Sequence, residues 1–382
     1  MLLDFIFHGI LASQGLFHET TGGIFLSIAT VTPNQVVELL TPIYAKTSPR
    51  EVPTVMLWGQ PGIGKSDAVH LLAEHLQRVT GKTVELTDVR LLLFNPIDLR
   101  GIPVVNSEKE FAVWLKPKIF DFPQDDEHLH ILFLDEISAA PPSVQAAAFQ
   151  LTLDRKIGEH DLPDNVIVIA AGNRMQDKGV TFRMPTPLAN RMTHLEVIAQ
   201  FDDWKKWALN NQIHEWVVGF LGFQTDLFNK FDPVNDSTAF PTPRSWSFVS
   251  KYLYLYDSLE DAMPMITGSV GEEAASEFAH YATNHMDLPV VDEIVAGKTV
   301  QIDNSKIDIV YAICSALAIR ARNFSDEQLE NVMHFLLGDT LAREYVIMTT
   351  KDMLRNGIVK QRVKALPRFS EFLSNYGKTL LV

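Results

Sequence analysis

A glycine-rich octapeptide decides how this chain folds: Gly59-Gln60-Pro61-Gly62-Ile63-Gly64-Lys65-Ser66. It fits the pattern G-x-x-x-x-G-K-[ST], in which glycines allow successive backbone N–H groups to point at phosphate oxygens. The lysine of this pattern reaches the β and γ phosphates of a nucleotide, and the hydroxyl that follows binds Mg²⁺. The octapeptide therefore predicts a phosphate-binding loop with Lys65 and Ser66 as its side-chain ligands.

The segments on either side of the loop are those that its mechanism requires. Before it, residues 54–58 form a short apolar run that predicts a buried strand. After it, Val69, Leu72 and Leu76 share one face of a predicted helix that ends at Gly81. A strand, a loop and a helix in this order indicate an α/β unit rather than a chance glycine-rich turn.

More strands and then a helical half are predicted along the chain. Residues 83–86, 131–134 and 166–170 are short apolar runs, typical of a parallel sheet that is buried on both faces. Residues 95–120 are interpreted as a hairpin-like insertion. After about residue 200 helical periodicity dominates; Ser325 and Gln328 form a predicted capping box, and the aromatic run at 251–256 is interpreted as core.

Polar side chains follow two of the predicted strands. Asp135 and Glu136 come directly after the run 131–134; Asp135 would hold Mg²⁺ through water, and Glu136 would activate the attacking water as a base. Asn173 comes after the run 166–170 and would orient the same water at the carboxyl edge of the sheet. Taken singly, these residues would be ordinary loop or turn residues, but the phosphate loop upstream favours catalysis.

Two arginines complete the candidate site. Arg191 follows a short apolar helix and is a candidate arginine finger, which would stabilise charge on the nucleotide of a neighbouring subunit. Arg244 opens a helix in the second half and would contact the γ-phosphate in its own subunit. For either arginine alone, a surface ion pair is the ordinary interpretation.

The order of these motifs resembles that of the AAA+ ATPases. More narrowly, Asn95-Pro96-Ile97-Asp98-Leu99-Arg100-Gly101-Ile102-Pro103, with Gly172-Asn173-Arg174 and Leu188-Ala189-Asn190-Arg191, resembles the MoxR branch. The resemblance covers roughly residues 33–254. It implies Walker A roles for Lys65 and Ser66, Walker B roles for Asp135 and Glu136, and sensor 1, finger and sensor 2 roles for Asn173, Arg191 and Arg244.

The fold that this resemblance implies is an α/β AAA+ P-loop core, with a parallel sheet flanked by helices, followed by an all-α lid and a helical C-terminal region. We divide the chain into an N-terminal segment packed on the core (1–50), the nucleotide-binding domain (51–200), the lid (201–300) and the C-terminal region (301–382). Residues 99–120 would match the helix-2 insert of the MoxR branch, and 154–164 its hairpin before sensor 1. No aromatic-hydrophobic-glycine pore loop is found, and the segment after about residue 300 matches no motif.

The resemblance also implies a function. A MoxR-like protein would hydrolyse ATP with Mg²⁺ in an oligomeric ring, a hexamer in this family, and would remodel or mature a partner protein as a chaperone does. The implied partner carries a von Willebrand factor A domain. Two alternatives stay open, a nucleotide-gated switch of assembly and a nucleic-acid-associated AAA+ motor, whereas a nucleoside kinase would not need Asn173 and a separate Arg191.

Composition narrows the function classes. The chain has 33 Lys+Arg against 47 Asp+Glu, a net charge of -14, which disfavours nucleic acid as a partner although the stretch 351–368 is basic. A single cysteine, Cys314, fits a reducing compartment. The apolar residues 1–17 lack the basic start of a signal peptide, and no run reaches the ~20 apolar residues of a membrane span. We therefore expect a cytoplasmic protein without a membrane span.

Overall fold

The computed structural model describes residues 28–177, 182, 184–232, 238–285 and 288–380. The prediction that residues 1–17 pack on the body of the protein falls outside this range. In the part of the chain that the structure describes, no helix is both long and apolar enough to cross a membrane.

A parallel six-stranded sheet forms the centre of the first half. Its strands run side by side in the order β1-β10-β2-β9-β6-β3. Their bounds are β1 Ala29–Val31, β2 Val55–Trp58, β3 Thr83–Arg90, β6 His128–Asp135, β9 Val166–Gly172 and β10 Thr193–Val197. The predicted parallel sheet is confirmed. All the strands point the same way, so the segments after β2, β6 and β9 leave from one edge of the sheet.

One strand differs from its prediction. The apolar run at 83–86 predicts a strand buried on both faces, but β3 lies at an edge of the sheet, and only Val89 of its eight residues is buried. Among the residues that the structure describes, strand β3 pairs with β6 alone. The stretch 83–86 is Thr-Val-Glu-Leu, in which polar and apolar residues alternate as in a partly exposed strand, so its interpretation as an apolar run is wrong.

Helices cover both faces of the sheet. They are α1 Pro33–Lys46 and α2 Lys65–Thr80 on one face and α4 Pro142–Phe149 on the other, with the short helices α3 Pro96–Arg100 and α5 Thr186–Ala189 in the connections. One hydrophobic cluster joins Leu40 and Leu72 to Ile131 and Ile167, and a second joins Val144 to alternate residues of the same strands. The alternation of side chains along each strand produces this division.

Local signals place the ends of the helices. Thr32 accepts from the N–H of Gln35, whose side chain in turn accepts from the N–H of Thr32, so α1 begins with a capping box. Helix α2 ends at Gly81, which has φ +71°. Ser325 and Gln328 form the predicted capping box of a later helix.

Two antiparallel hairpins interrupt the α/β unit. The first consists of β4 Ile102–Val105 and β5 Ala112–Leu115 and lies within the predicted insertion. The second consists of β7 Lys156–Ile157 and β8 His160–Asp161 and lies within the stretch expected to form a hairpin before sensor 1. The hairpins contact each other, because the ring of His160 bonds the carbonyl of Trp114 at 2.7 Å.

After β10 the described chain is mainly helical. Its helices are α6 Phe201–Asn210, α7 Glu215–Phe223, α8 Pro243–Leu255, α9 Leu259–Val270, α10 Glu272–His285, α11 Pro289–Val295, α12 Ile307–Arg320, α13 Asp326–Leu337, α14 Arg343–Arg355, α15 Gly357–Ala365 and α16 Pro367–Leu380. One hydrophobic cluster from Ala208 to Phe372 joins them across residue 300. The four-part division of the chain stays a prediction, and the shared cluster favours a single helical body after residue 200.

The interpretation of the aromatic run at 251–256 as core is wrong for its second half. Tyr254, Leu255 and Tyr256 are exposed at the end of α8. The buried face of α8 is formed instead by Trp246 and Val249. Aromatic composition alone does not show where a helix leaves the core.

Candidate nucleotide-binding site

The glycine-rich loop joins the end of β2 to the start of α2. Gly62 and Gly64 have φ values of +77° and +100°, in the region that only glycine enters without strain. At Gly59 a Cβ would lie 2.6 Å from the carbonyl oxygen of Val197, so the loop passes too close to β10 for a side chain. The glycines therefore allow the backbone to turn tightly over the N-terminus of α2, where backbone N–H groups favour anions.

Lys65 is the centre of the site. It is the first residue of α2 and is 8% exposed. Its Nζ donates to the carbonyl oxygens of Gly59 at 2.7 Å and Gln60 at 2.8 Å and to Oδ1 of Asn173 at 3.0 Å. Burial lowers the pKa of Lys65 from 10.5 to about 8, against the opposing effect of the Asp135 carboxylate. The loop and the end of β9 thus meet at one buried amine.

Ser66 and Asp135 lie together beside this amine. The Oγ of Ser66 donates to Oδ2 of Asp135 at 3.2 Å, and both residues are half-buried. Oxygen ligands are those that Mg²⁺ takes in proteins, commonly one or two from the chain with the rest from phosphates and water. The hydroxyl and the carboxylate therefore fit a Mg²⁺ ion.

Glu136 occupies an unusual backbone conformation. Its φ is +58°, in the left-handed region that residues with side chains rarely adopt. The N–H of Glu136 donates to Oδ1 of Asp135 at 2.8 Å, and the N–H of Ile137 donates to the carbonyl of Ala171 at 3.0 Å. Hydrogen bonds on both sides hold this turn against β9, and such strained residues cluster at functional sites.

The structure adds Ser138, which no sequence motif singled out. Its Oγ accepts from the N–H of Asn173 at 2.9 Å and lies 2.7 Å from where a Cβ on Gly172 would stand. Ser138 therefore holds the turn that carries Asn173, and Gly172 makes the close approach feasible. Its position three residues after Asp135 is the signal that could have drawn attention to it.

Arg174 is fixed by ion pairs. Its guanidinium bonds both oxygens of Asp177 at 2.9–3.3 Å and also bonds Glu196 on β10. These hydrogen bonds raise the pKa of Arg174 above its ordinary value. The arrangement fastens the segment after Asn173 to the neighbouring part of the sheet.

Residues from the helical half contact the loop directly. The N–H of Arg244 donates to the carbonyl of Gly62 at 3.2 Å. The hydroxyl of Thr242 accepts from the N–H of Ser245 and so caps α8. The same oxygen lies 3.1 Å from the position that a Cβ on Gly62 would take. Burial is the main cause of the lowered pKa of Lys65, and the positive charge of Arg244 adds to it.

A second contact to the loop comes from Asn229. Its Nδ2 donates to Oε1 of Gln60 at 3.1 Å, and no sequence signal distinguished this asparagine. The helical half therefore touches two different residues of the loop, so it is positioned to respond to what the loop binds.

Arg191 lies elsewhere. It is exposed, in the turn between α5 and β10. Thr193 pairs with Val55 at the start of β2, whereas the loop leaves β2 at the opposite end. Each of the four residues of β2 advances the strand by ~3.3 Å, so the two ends of β2 lie about 13 Å apart. The structure thus brings together six of the predicted site residues, Lys65, Ser66, Asp135, Glu136, Asn173 and Arg244, and leaves Arg191 at the other edge of the sheet.

A parallel sheet whose central strand leads through a glycine-rich loop to a buried lysine defines a P-loop nucleotide-binding domain. Residues 54–193 match the family model of the AAA ATPases, the ATPase family associated with various cellular activities. This part of the chain is therefore an AAA-type ATPase domain. No curated protein matches the chain.

Several solved structures are similar over most of their length. A protein of Cytophaga hutchinsonii described as an ATPase is 13% identical, with 89% of this chain and 91% of that chain covered and a TM-score of 0.31. A mutant of RuvB from Thermotoga maritima is 14% identical, with 78% and 85% covered and a TM-score of 0.36. A protein of Thermotoga maritima related to the γ subunit of DNA polymerase III is 10% identical, with 91% and 92% covered and a TM-score of 0.30.

Proposed function

We propose that this chain is a Mg²⁺-dependent, MoxR-like AAA+ ATPase that hydrolyses ATP in a head-to-tail ring, a hexamer by family resemblance, and remodels or matures a partner protein. One observation carries the proposal: six predicted site residues surround the phosphate loop while Arg191 is exposed at the opposite end of β2. A site of this kind is incomplete until a second subunit supplies the missing arginine.

Within one subunit, the chain's own residues would bind and orient the substrate. The loop N–H groups and Lys65 would hold the β and γ phosphates of ATP, and Ser66 and Asp135 would hold Mg²⁺. The ion would neutralise charge that develops on the phosphates. Glu136 would take a proton from the attacking water, which Asn173 would orient. Arg244 would contact the γ-phosphate and link the helical half to hydrolysis.

The neighbouring subunit would complete the reaction. Arg191 of one subunit would point at the nucleotide of the next and stabilise the charge of the transition state. A contact between unlike surfaces of identical subunits generates a ring when its rotation closes. The exposure of Arg191 and its separation from the loop of its own subunit support this arrangement.

A protein partner fits the surface better than nucleic acid does. On the β4–β5 hairpin, Ile102, Val113 and Leu115 share one face and are 60%, 38% and 57% exposed, an apolar surface typical of protein contacts. In the basic stretch 351–368, arginines 355, 362 and 368 pair with carboxylates of this chain, so much of its charge is already compensated. We propose a cytoplasmic partner that carries a von Willebrand factor A domain.

ATP turnover separates an enzyme from a switch of assembly. We expect the wild-type chain to hydrolyse ATP and Glu136→Gln to bind ATP without hydrolysing it, because the amide preserves the shape of the side chain but is not a base. Equal turnover by the two proteins would overturn the role of Glu136. Stimulation of turnover by DNA, but not by a protein partner, would favour the nucleic-acid motor instead.

Mixing two inactive variants tests the shared site. Arg191→Ala should bind ATP but lose about 10³- to 10⁵-fold in rate, and Lys65→Ala should be nearly inactive. Subunits of the two, dissociated and reassembled together, should recover part of the activity, because some interfaces pair an intact loop with an intact arginine. Arg78→Ala, at an exposed arginine of α2, is the control that should keep full activity. Mixed rings without recovery would refute a finger in trans.

A further inference from the structure

A hydrogen-bonded chain connects the strand before the phosphate loop to the helix before Arg191. Trp58 is the last residue of β2, and its Nε1 donates to Nδ1 of His194 on β10 at 2.9 Å. The two rings are stacked at an interplanar angle of 17°. The other ring nitrogen of His194, Nε2, lies 2.7 Å from the carbonyl oxygen of Ala189, the last residue of α5.

The direction of this chain follows from the chemistry of its members. An indole N–H can only donate, so Nδ1 of His194 must carry the lone pair that accepts it. In a neutral imidazole the proton then sits on Nε2, and this nitrogen donates to the carbonyl of Ala189. Both bonds require the same tautomer, so Trp58 selects the form of His194 that holds α5.

Helix α5 depends on such outside contacts. It has four residues, Thr186–Ala189, and a single turn of helix is not stable by itself. The only other donor to the Ala189 carbonyl, among the described residues, is the N–H of Met192 at a longer 3.3 Å. Leu188 and Met192 are buried on either side of the turn. Arg191 therefore belongs to a short segment that these two side chains hold in the core and that hydrogen-bonds to His194.

We propose that His194 is a positioning residue for Arg191, and that through Trp58 it links the phosphate loop of a subunit to the arginine that this subunit lends to its neighbour. The inference rests on the proposed function, since it requires Arg191 to act in trans. His194 itself would not touch the nucleotide. Its effect on the rate would come from where α5 holds Arg191.

Substitutions at His194 separate the hydrogen bonds from the ring. His194→Phe keeps an aromatic ring against Trp58 but loses both bonds, and we expect kcat to fall about 10- to 100-fold with unchanged ATP affinity, since small misplacements of a catalytic group cost this much. His194→Gln, whose amide can both accept and donate, should recover much of the loss. Thr193→Val, an exposed neighbour on the same strand, should match the wild type.

Mixed rings distinguish positioning in trans from damage to the subunit's own site. Subunits with His194→Phe retain an intact loop, so mixing them with Lys65→Ala subunits, which lend an intact Arg191, should restore activity. Mixing them with Arg191→Ala subunits should restore none, because both lack an effective finger. The double variant His194→Phe with Arg191→Ala should be no slower than Arg191→Ala alone.

The outcomes distinguish the inference from the proposed function. If Arg191→Ala is inactive and His194→Phe keeps the wild-type kcat, only the inference fails; if Arg191→Ala itself keeps the wild-type kcat, the proposed finger fails first. A loss in His194→Phe that Lys65→Ala subunits do not restore also overturns the inference. Should His194→Phe unfold, Trp58→Phe, which removes the indole donor and keeps an aromatic ring, takes its place, and an unchanged kcat there would overturn the link through Trp58 on which the inference depends.

Discussion

Neutralising Asp352 is expected to destabilise the helical half of the protein by about 3 kcal/mol or more. Asp352 on α14 forms an ion pair with Lys205 on α6, and each side chain is 4% exposed. The second carboxylate oxygen accepts from Arg355 at 2.6 Å. The pair joins the first helix after the sheet to a helix near the end of the chain, so its loss should loosen the packing of both.

The magnitude follows from burial. Asp352→Asn preserves the volume of the side chain but leaves the ammonium of Lys205 buried without a counter-charge, and breaking one side of a buried pair costs about 3–5 kcal/mol. The amide oxygen can still accept from Lys205, which favours the lower end of that range. Arg355 is 23% exposed and regains part of its solvation from water.

Two controls isolate the effect of burial. Lys230 and Glu273 form a pair of ordinary length, 2.8 Å, whose side chains are 51% and 74% exposed, so Glu273→Gln should cost less than about 1 kcal/mol. The double variant Lys205→Met with Asp352→Leu replaces the buried pair by apolar groups. It should recover most of the stability, because neither buried charge remains and the partly exposed Arg355 is solvated by water.

Equilibrium urea denaturation followed by tryptophan fluorescence measures these differences. Trp204 and Trp207 flank Lys205 on α6 and pack against the hydrophobic cluster of the helical half, so they report on this region. A loss for Asp352→Asn no larger than that for Glu273→Gln would refute the argument from burial. A double variant as unstable as Asp352→Asn would show that packing, rather than charge, sets the cost.

Three further predictions test other parts of the structure. Lys65→Ala should weaken ATP binding strongly in isothermal titration, because the phosphates lose a positive charge, and an unchanged affinity would exclude the loop as the site. Gly59→Ala should abolish ATP binding, because its Cβ would lie 2.6 Å from a carbonyl oxygen of β10. At Gly81 a Cβ would meet nothing within 4 Å, so Gly81→Ala should leave the affinity for ATP unchanged and cost only the about 1–2 kcal/mol of stability that a left-handed residue with a side chain loses. Burial raises the pKa of Cys314 to about 11, so its thiol should not react with a disulfide reagent at pH 8 until urea unfolds the protein; rapid reaction of the native chain would contradict its burial.

Features that depend on neighbours in sequence were predictable. The phosphate loop, the capping box at Ser325, and the end of α2 at Gly81 each follow from residues within a few positions of one another. The parallel sheet was predictable because buried strands read as short apolar runs. Local geometry and local composition agree at these positions, so a pattern is enough to find them.

Features that depend on distant segments were not predictable. The edge position of β3 is set by which strand pairs with it, and the exposure of Tyr254 and Leu255 by where α8 leaves the helical cluster. Ser138 and Asn229 act through bonds to residues 35 and 169 positions away. No spacing rule links such partners, because the fold, and not the local chain, brings them together.

The positions of the two candidate arginines relative to the phosphate loop follow from the direction of the strands, which a local motif does not contain. In sequence, each is a single basic residue beside a helix end, and only the order of the motifs predicts that Arg191 acts on a neighbouring subunit and Arg244 on its own. In the structure, a segment that enters β10 must lie at the amino edge of a parallel sheet, and the phosphate loop lies at the carboxyl edge. An arginine just before β10 therefore lies at the edge of the sheet away from the loop of its own subunit, whereas the backbone of Arg244 contacts that loop because α8 begins against Gly62. The direction of the strands thus places Arg244 beside the loop of its own chain and Arg191 away from it, and this difference supports the proposal that Arg191 acts on a neighbouring subunit.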